Sequence, residues 1–196
     1  MVMKHSITLK ALFLYLAVIL LFTYPLIINL TNSIYGISHD NFGGLWDLWA
    51  YNKSIHENIP LNRFDYIDYP SGINIIPDLK MFLPLAINIV FGTLISNPFV
   101  AFNIIVIIKF VLAAFSMFVL LKELNIQILI AWIGGCIYSL NPFMNSLTLA
   151  YGPNYISVFL PLFIFNLILY NKNRNLRSFV LLVLVSLLFF VENFCT

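Results

Sequence analysis

The chain has 196 residues, of which 61% are hydrophobic and 9% charged, with mean hydropathy +0.95 and formal net charge +2. A soluble domain carries about a quarter charged residues, so this composition predicts an all-α, polytopic integral membrane protein instead. The small net charge, with no basic stripe interleaved by aromatics, argues against nucleic-acid partners. Cys136 and Cys195 lie far apart in apolar runs, with no zinc or redox spacing.

Lys4, His5 and Lys10 precede an apolar run from Ala11 to Leu30. At about 20 residues and 1.5 Å each it covers a hydrocarbon core of about 30 Å. It is longer than a signal-peptide core and lacks a small-residue cleavage site, so a retained first span is predicted. The polar stretch Thr31–Lys80 follows as a long first external loop. Within it, Leu45, Leu48, Trp49 and Ile55 recur at near-helical spacing among Asp47, Lys53 and Glu57, which predicts a helix lying in the headgroup layer over Asn41–Asn58. Phe64–Gly72 is turn chemistry. Met81–Ile95, with Pro84 and Gly92 inside, is short for a crossing and reads as a second juxtamembrane segment.

Asn97-Pro98 combines a cap with proline at the first helical position and opens a second span, Phe99–Leu121, closed by Lys122-Glu123. A third span is predicted over Ile126–Leu140 and a fourth over Tyr155–Tyr170. Between them Asn141-Pro142 and Tyr151-Gly152-Pro153-Asn154 predict an external turn. A fifth span runs over Phe179–Val191. Lys4 and Lys10, Lys122, and the cluster Lys172, Arg174 and Arg177 all fall on the cytoplasmic side if Met81–Ile95 does not cross. The N-terminus is then cytoplasmic, and the Asn141–Asn154 turn lies on the outer face beside the first loop. The whole chain, 1–196, reads as one membrane domain without internal repeats.

Asp40, early in the external loop, is the leading chemical candidate. A carboxylate at a membrane surface can take a proton from a hydroxyl; its structural alternative is a cap on the helix that starts near Asn41. His39 beside it could tune Asp40, although one His-Asp pair lacks the ligand number of a metal site. Asp65 and Asp68 could meet a cation or a polyol, or stand as solvated loop acids. Trp46 and Trp49 suit sugar stacking or interfacial anchoring. Lys109, midway along span two, costs about 2.5–3.5 kcal/mol on insertion scales, so it should face the bundle interior and have a partner. Glu192 lies too far toward the other end of span five to pair with it. Tyr151 and Asn154 would face the same outer cavity as Asp40.

The order of these features resembles the N-terminal part of GT-C type membrane glycosyltransferases. The likeness rests on Thr23-Tyr24-Pro25-Leu26, Gly36-Ile37-Ser38-His39-Asp40 and Leu45-Trp46-Asp47-Leu48-Trp49, then on Tyr69-Pro70-Ser71-Gly72-Ile73-Asn74, similar to a Tyr-Pro-x-Gly element of bacterial members. Phe102-Asn103, Ile137–Pro142 and Gly152-Pro153-Asn154 continue it. The resemblance implies inverting transfer of a sugar from a polyprenyl-phosphate carrier to an acceptor hydroxyl at the outer face of a bacterial cytoplasmic membrane. Asp40 would be the catalytic base, and His39, Trp46, Trp49, Tyr69, Lys109, Tyr151 and Asn154 would line the substrate site.

The family's second acid next to the first is missing here: Asn41 and Phe42 follow Asp40. No metal ligands are therefore assigned, and a divalent cation stays open as a cofactor. Family members are longer, which makes the chain an expected fragment, with a partner chain completing the bundle. Two other readings remain. One is a non-catalytic or degenerate membrane protein that binds a lipid-linked sugar. The other is a transporter or flippase component, which Lys109 suits, although repeated halves are lacking.

Overall fold

In the computed structural model, residues 5–37, 40–60, 62–74, 82–151 and 158–193 are described. They are mostly helical: α1 (His5–Phe22), α2 (Asp40–His56), α3 (Phe82–Leu94), α4 (Pro98–Glu123), α5 (Ile128–Leu140), α6 (Pro142–Tyr151), α7 (Phe159–Asn173) and α8 (Leu176–Asn193). A two-stranded antiparallel hairpin, β1 (Arg63–Phe64) and β2 (Ile73–Asn74), pairs Arg63 with Asn74 and Phe64 with Ile73.

α4 is the axis of the fold. Asn97 caps it, accepting from the backbone N–H groups of Phe99 (2.9 Å) and Val100 (3.2 Å), with Pro98 at the first turn. At the far end Asn125 takes a left-handed φ of 62°. The Ile126 N–H reaches the Leu121 carbonyl and the Asn125 N–H the Lys122 carbonyl, which closes the helix with a Schellman turn. Thirteen of its side chains are buried, and Ala101, Phe102, Ile105, Val106, Phe110, Ala114 and Phe118 form most of the core with Ala11, Tyr15 and Ile19 of α1.

α1 runs antiparallel to α4: Tyr15 meets Phe118 edge-on at 6.3 Å, and Phe22 meets Phe110 at 6.4 Å. α5 packs against both helices. A Cβ on Gly135 would collide with the Tyr15 hydroxyl and come within 2.6 Å of the Ala114 carbonyl oxygen, so glycine lets three helices close up there. Tyr15 also stacks on Trp132 and donates to its carbonyl (3.0 Å).

Several predicted boundaries move. The first span, expected over Ala11–Leu30, ends at Phe22, because Pro25 has no N–H to continue the ladder, and a short 3-10 turn takes Leu26–Ile28. The turn expected from Asn141 onward is instead helix α6. Asn141 is extended (φ −65°, ψ 155°), its side chain accepts from the Met144 N–H (2.9 Å), and Pro142 takes the first position. Among the described residues two stretches, rather than five, are long and apolar enough to cross a membrane: α4, and Ile128–Ala150, counting α5 and α6 together. The apolar parts of α1 and α8, Thr8–Phe22 and Leu176–Phe190, are shorter.

The bundle has two unlike ends. Lys172 of α7 pairs with Glu123 of α4, and Lys122 caps its own chain turn at the Ile126 carbonyl (2.8 Å). Antiparallel packing brings the start of α1, with Lys10, to this same basic end. At the other end the chain leaving α1 is tied to α4 by Asn103. This buried amide donates to the carbonyls of Leu30 (3.1 Å) and Ser33 (2.7 Å) and accepts from the Tyr35 N–H (3.1 Å). Between the ends, large apolar side chains face outward, among them Leu21 (77% exposed), Leu129 (60%), Ile137 (66%) and Phe190 (61%).

Asn103→Ala strands three backbone groups and should destabilise the protein by about 2–4 kcal/mol. Thermal unfolding in detergent should shift down and limited proteolysis should open the chain between Thr31 and Ile37. Asn103→Asp, which keeps the acceptor but loses both donors, should behave in the same way.

Candidate functional site

The non-basic end gathers the polar residues of the first loop. Beyond Tyr35 the chain turns at Gly36 (φ 137°), where a Cβ would strike the Asn41 amide and lie 2.8 Å from the Leu149 carbonyl oxygen, so only glycine fits. The Ile37 N–H donates to the Leu149 carbonyl (3.0 Å), and the Asn41 amide donates to the carbonyls of Ile37 and Leu149. The Tyr35 hydroxyl donates to Asn145 (2.6 Å), and burial pushes its pKa up. The loop after α1 and the helix after α5 are thereby locked side by side, with Asp40 between them at the start of α2.

Asp40 is exposed and lies in the first turn of α2, where the helix dipole favours negative charge. His39 and Asn154 fall outside the described residues, and Tyr151 ends α6, the helix docked beside Asp40. Trp46 points into packing: its ring meets Phe64 edge-on at 5.0 Å in a cluster with Ala50, Tyr51, Ile73 and Ile89. Trp49 stays on the outer surface against Tyr66 (5.6 Å), with the Lys53 ammonium over both rings at 5.3 and 4.5 Å. Glu57 accepts from the Tyr66 hydroxyl (2.8 Å) and lies 3.6 Å from the Lys53 Nζ. Tyr69 is 85% exposed on the loop joining the strands. Lys109 is 2% exposed and has an interaction partner; it sits about 9 Å along α4 from Asn103, six residues at 1.5 Å. The structure thus groups Asp40 with α6 and the hairpin with α2, and leaves Lys109 deeper in the bundle.

Asp47, which sequence reading treats only as a polar residue of a surface helix, is the acid among the described residues that burial shifts most. It lies on the inward side of α2 between buried Gly44, Leu48 and Tyr51, and burial raises its pKa from 3.8 to about 6. The same burial, with Asp47 nearby, raises Tyr51 to about 12. The signal was present as spacing: Asp47 follows Asp40 by seven residues, two helical turns, so both share a face. Among the described residues no three His, Cys, Asp or Glu side chains converge as a metal site.

Comparison with protein-family models, curated proteins and solved structures yields no match.

Because Asp47 titrates higher folded than unfolded, the folded state binds the extra proton. Stability from this group is complete below pH 4 and is lost as pH rises through about 6, by at most about 3 kcal/mol. Melting temperature should therefore fall between pH 4 and pH 6.5 in the wild type. In Asp47→Asn that slope should flatten, and the variant should be the more stable of the two at pH 7.

Proposed function

We propose that the chain is a multi-span membrane protein, the whole or a portion of a GT-C type glycosyltransferase. It would transfer a sugar from a polyprenyl-phosphate carrier to an acceptor hydroxyl at the outer face of the cytoplasmic membrane. The membrane setting is supported by the outward apolar side chains of α1, α5 and α8, far more than a water-facing surface carries. Orientation is supported by the shared basic end of α1, α4 and α7, which the charge bias of membrane proteins places in the cytoplasm.

The observation that carries the catalytic reading is the place of Asp40 in the chain. It is exposed in the first turn of α2, at the end opposite the basic residues, and its neighbours Ile37 and Asn41 bond the Leu149 carbonyl of α6. Asp40 takes the proton of the acceptor hydroxyl. That oxygen attacks the anomeric carbon, and the carrier phosphate leaves with the bonding electrons, inverting the centre. In this reading α2 and α3 are the floor of the site, and Trp49 and Tyr66, in contact at 5.6 Å, would face the headgroup layer.

Asp40→Asn should lower sugar transfer in membrane vesicles supplied with a polyprenyl-phosphate sugar by about 100-fold or more, with insertion unchanged. Undiminished transfer would sink the assignment. The burial of Lys109 favours one other reading, a carrier for an anionic lipid. Flux that needs Lys109 and ignores Asp40 would point there.

A further inference from the structure

The outer surface where α1 meets α4 is indented. Leu9, Phe13 and Leu16 of α1 and Ile107, Ile108 and Leu112 of α4 line a groove of about 250 Å³. Ile107, 8% exposed, forms its floor, while Leu9 (56%), Phe13 (63%) and Leu112 (43%) stand open as its walls. Every side chain that lines it is aliphatic or aromatic. Lining atoms that face a gap forfeit dispersion contacts on that side, so an apolar occupant gains by completing them. Water gains nothing there, because it finds no polar partner.

Shape and charge narrow the occupant. From Leu9 to Leu16 the helix rises about 10 Å, so the groove is a channel of about 25 Å² in section. A helix is about 10–12 Å across with its side chains, roughly three times that section or more, and would only rest on the rim. A single alkyl chain is thin and flexible enough to lie inside. Lys10, three residues before Phe13 and so beside it on α1, is exposed at the same rim. α1 carries no acid, and the acid of α4, Glu123, is taken by Lys172. A lysine so placed lays its stem along apolar surface and holds its ammonium at the level of lipid headgroups, where it attracts anionic ones.

We propose that this groove is a lipid site, holding one acyl chain of an anionic diacyl phospholipid while Lys10 meets the headgroup phosphate. The site rests on the membrane setting argued above and is independent of the sugar-transfer reading, since Asp40 lies at the other end of the bundle.

The test is native mass spectrometry of the full chain in detergent, titrated with dioleoyl phosphatidylglycerol, dioleoyl phosphatidylcholine and undecaprenyl phosphate. Wild type should retain one phosphatidylglycerol about 5-fold more tightly than phosphatidylcholine, the effect of one lysine at a membrane surface. Lys10→Gln, an exposed change that leaves the fold intact, should abolish that preference. Leu112→Trp fills the groove from an exposed position and should weaken both lipids by about 10-fold. Ile137→Trp, outward on α5 and away from the groove, should change neither. Equal retention of the two phospholipids by wild type, or binding that Leu112→Trp leaves intact, overturns the proposal. Tighter binding of undecaprenyl phosphate, lost in Leu112→Trp, gives the groove to an isoprenoid chain and overturns it as well. Groove-dependent lipid retention without Asp40-dependent transfer removes the enzyme reading and keeps this site; the converse removes this site alone.

Discussion

One side-chain amide organises the non-basic end of this protein. Asn103 sits on the most buried helix, where an unsatisfied amide would be costly, and it spends its donors and acceptor on the backbone of the chain that leaves α1. The consequences run outward in sequence. With Leu30, Ser33 and Tyr35 fixed, Gly36 can make its left-handed turn against Leu149, Ile37 can bond α6, and Asn41 can anchor the first turn of α2. Apolar packing is non-directional and alone distinguishes poorly between helix arrangements. A few buried amides then set register, and Asn103 is the first in that sequence.

What the sequence disclosed follows from which signals are local. The start of α4 was legible because Asn97-Pro98 is a cap and a first-turn proline in adjacent positions, and the structure uses both as such. Asn141-Pro142 has the same grammar and also starts a helix, but Gly152-Pro153 downstream made the whole stretch read as a turn. The hairpin was hidden because two-residue strands are too short to show any alternation. α1 was drawn too long because hydropathy does not register that Pro25 cannot extend a ladder.

The site was less legible than the fold. Asp40 stood out by position, and it lies exposed in the first turn of α2. Asp47 did not, because α2 has no clean apolar stripe: its inner face carries Asp47, Tyr51 and Ser54, and its outer face carries Phe42 and Trp49. On such a helix the sequence spacing says which residues share a side but leaves open which side is covered. That is decided by partners far along the chain, Gly92 and Ile89 of α3 and Phe64 of the hairpin.

The two tryptophans, read from sequence as equivalent, show how that choice is made. They are three residues apart on α2, so their rings leave the helix about 60° apart, and only one can be covered by the hairpin. Phe64, 0% exposed, takes Trp46 and Tyr51 edge-on, at 5.0 and 5.5 Å, which rotates Trp49 outward to Tyr66 and Lys53. Two aromatic contacts thus set the rotation of α2 about its own axis, and that rotation turns Asp47 and Ser54 toward the covered side of the helix. A burden of buried polar groups of this kind weakens a fold unless something else is served, and folded proteins keep such burdens mainly at functional sites. The hairpin, through Phe64, thereby decides which face of α2 is covered.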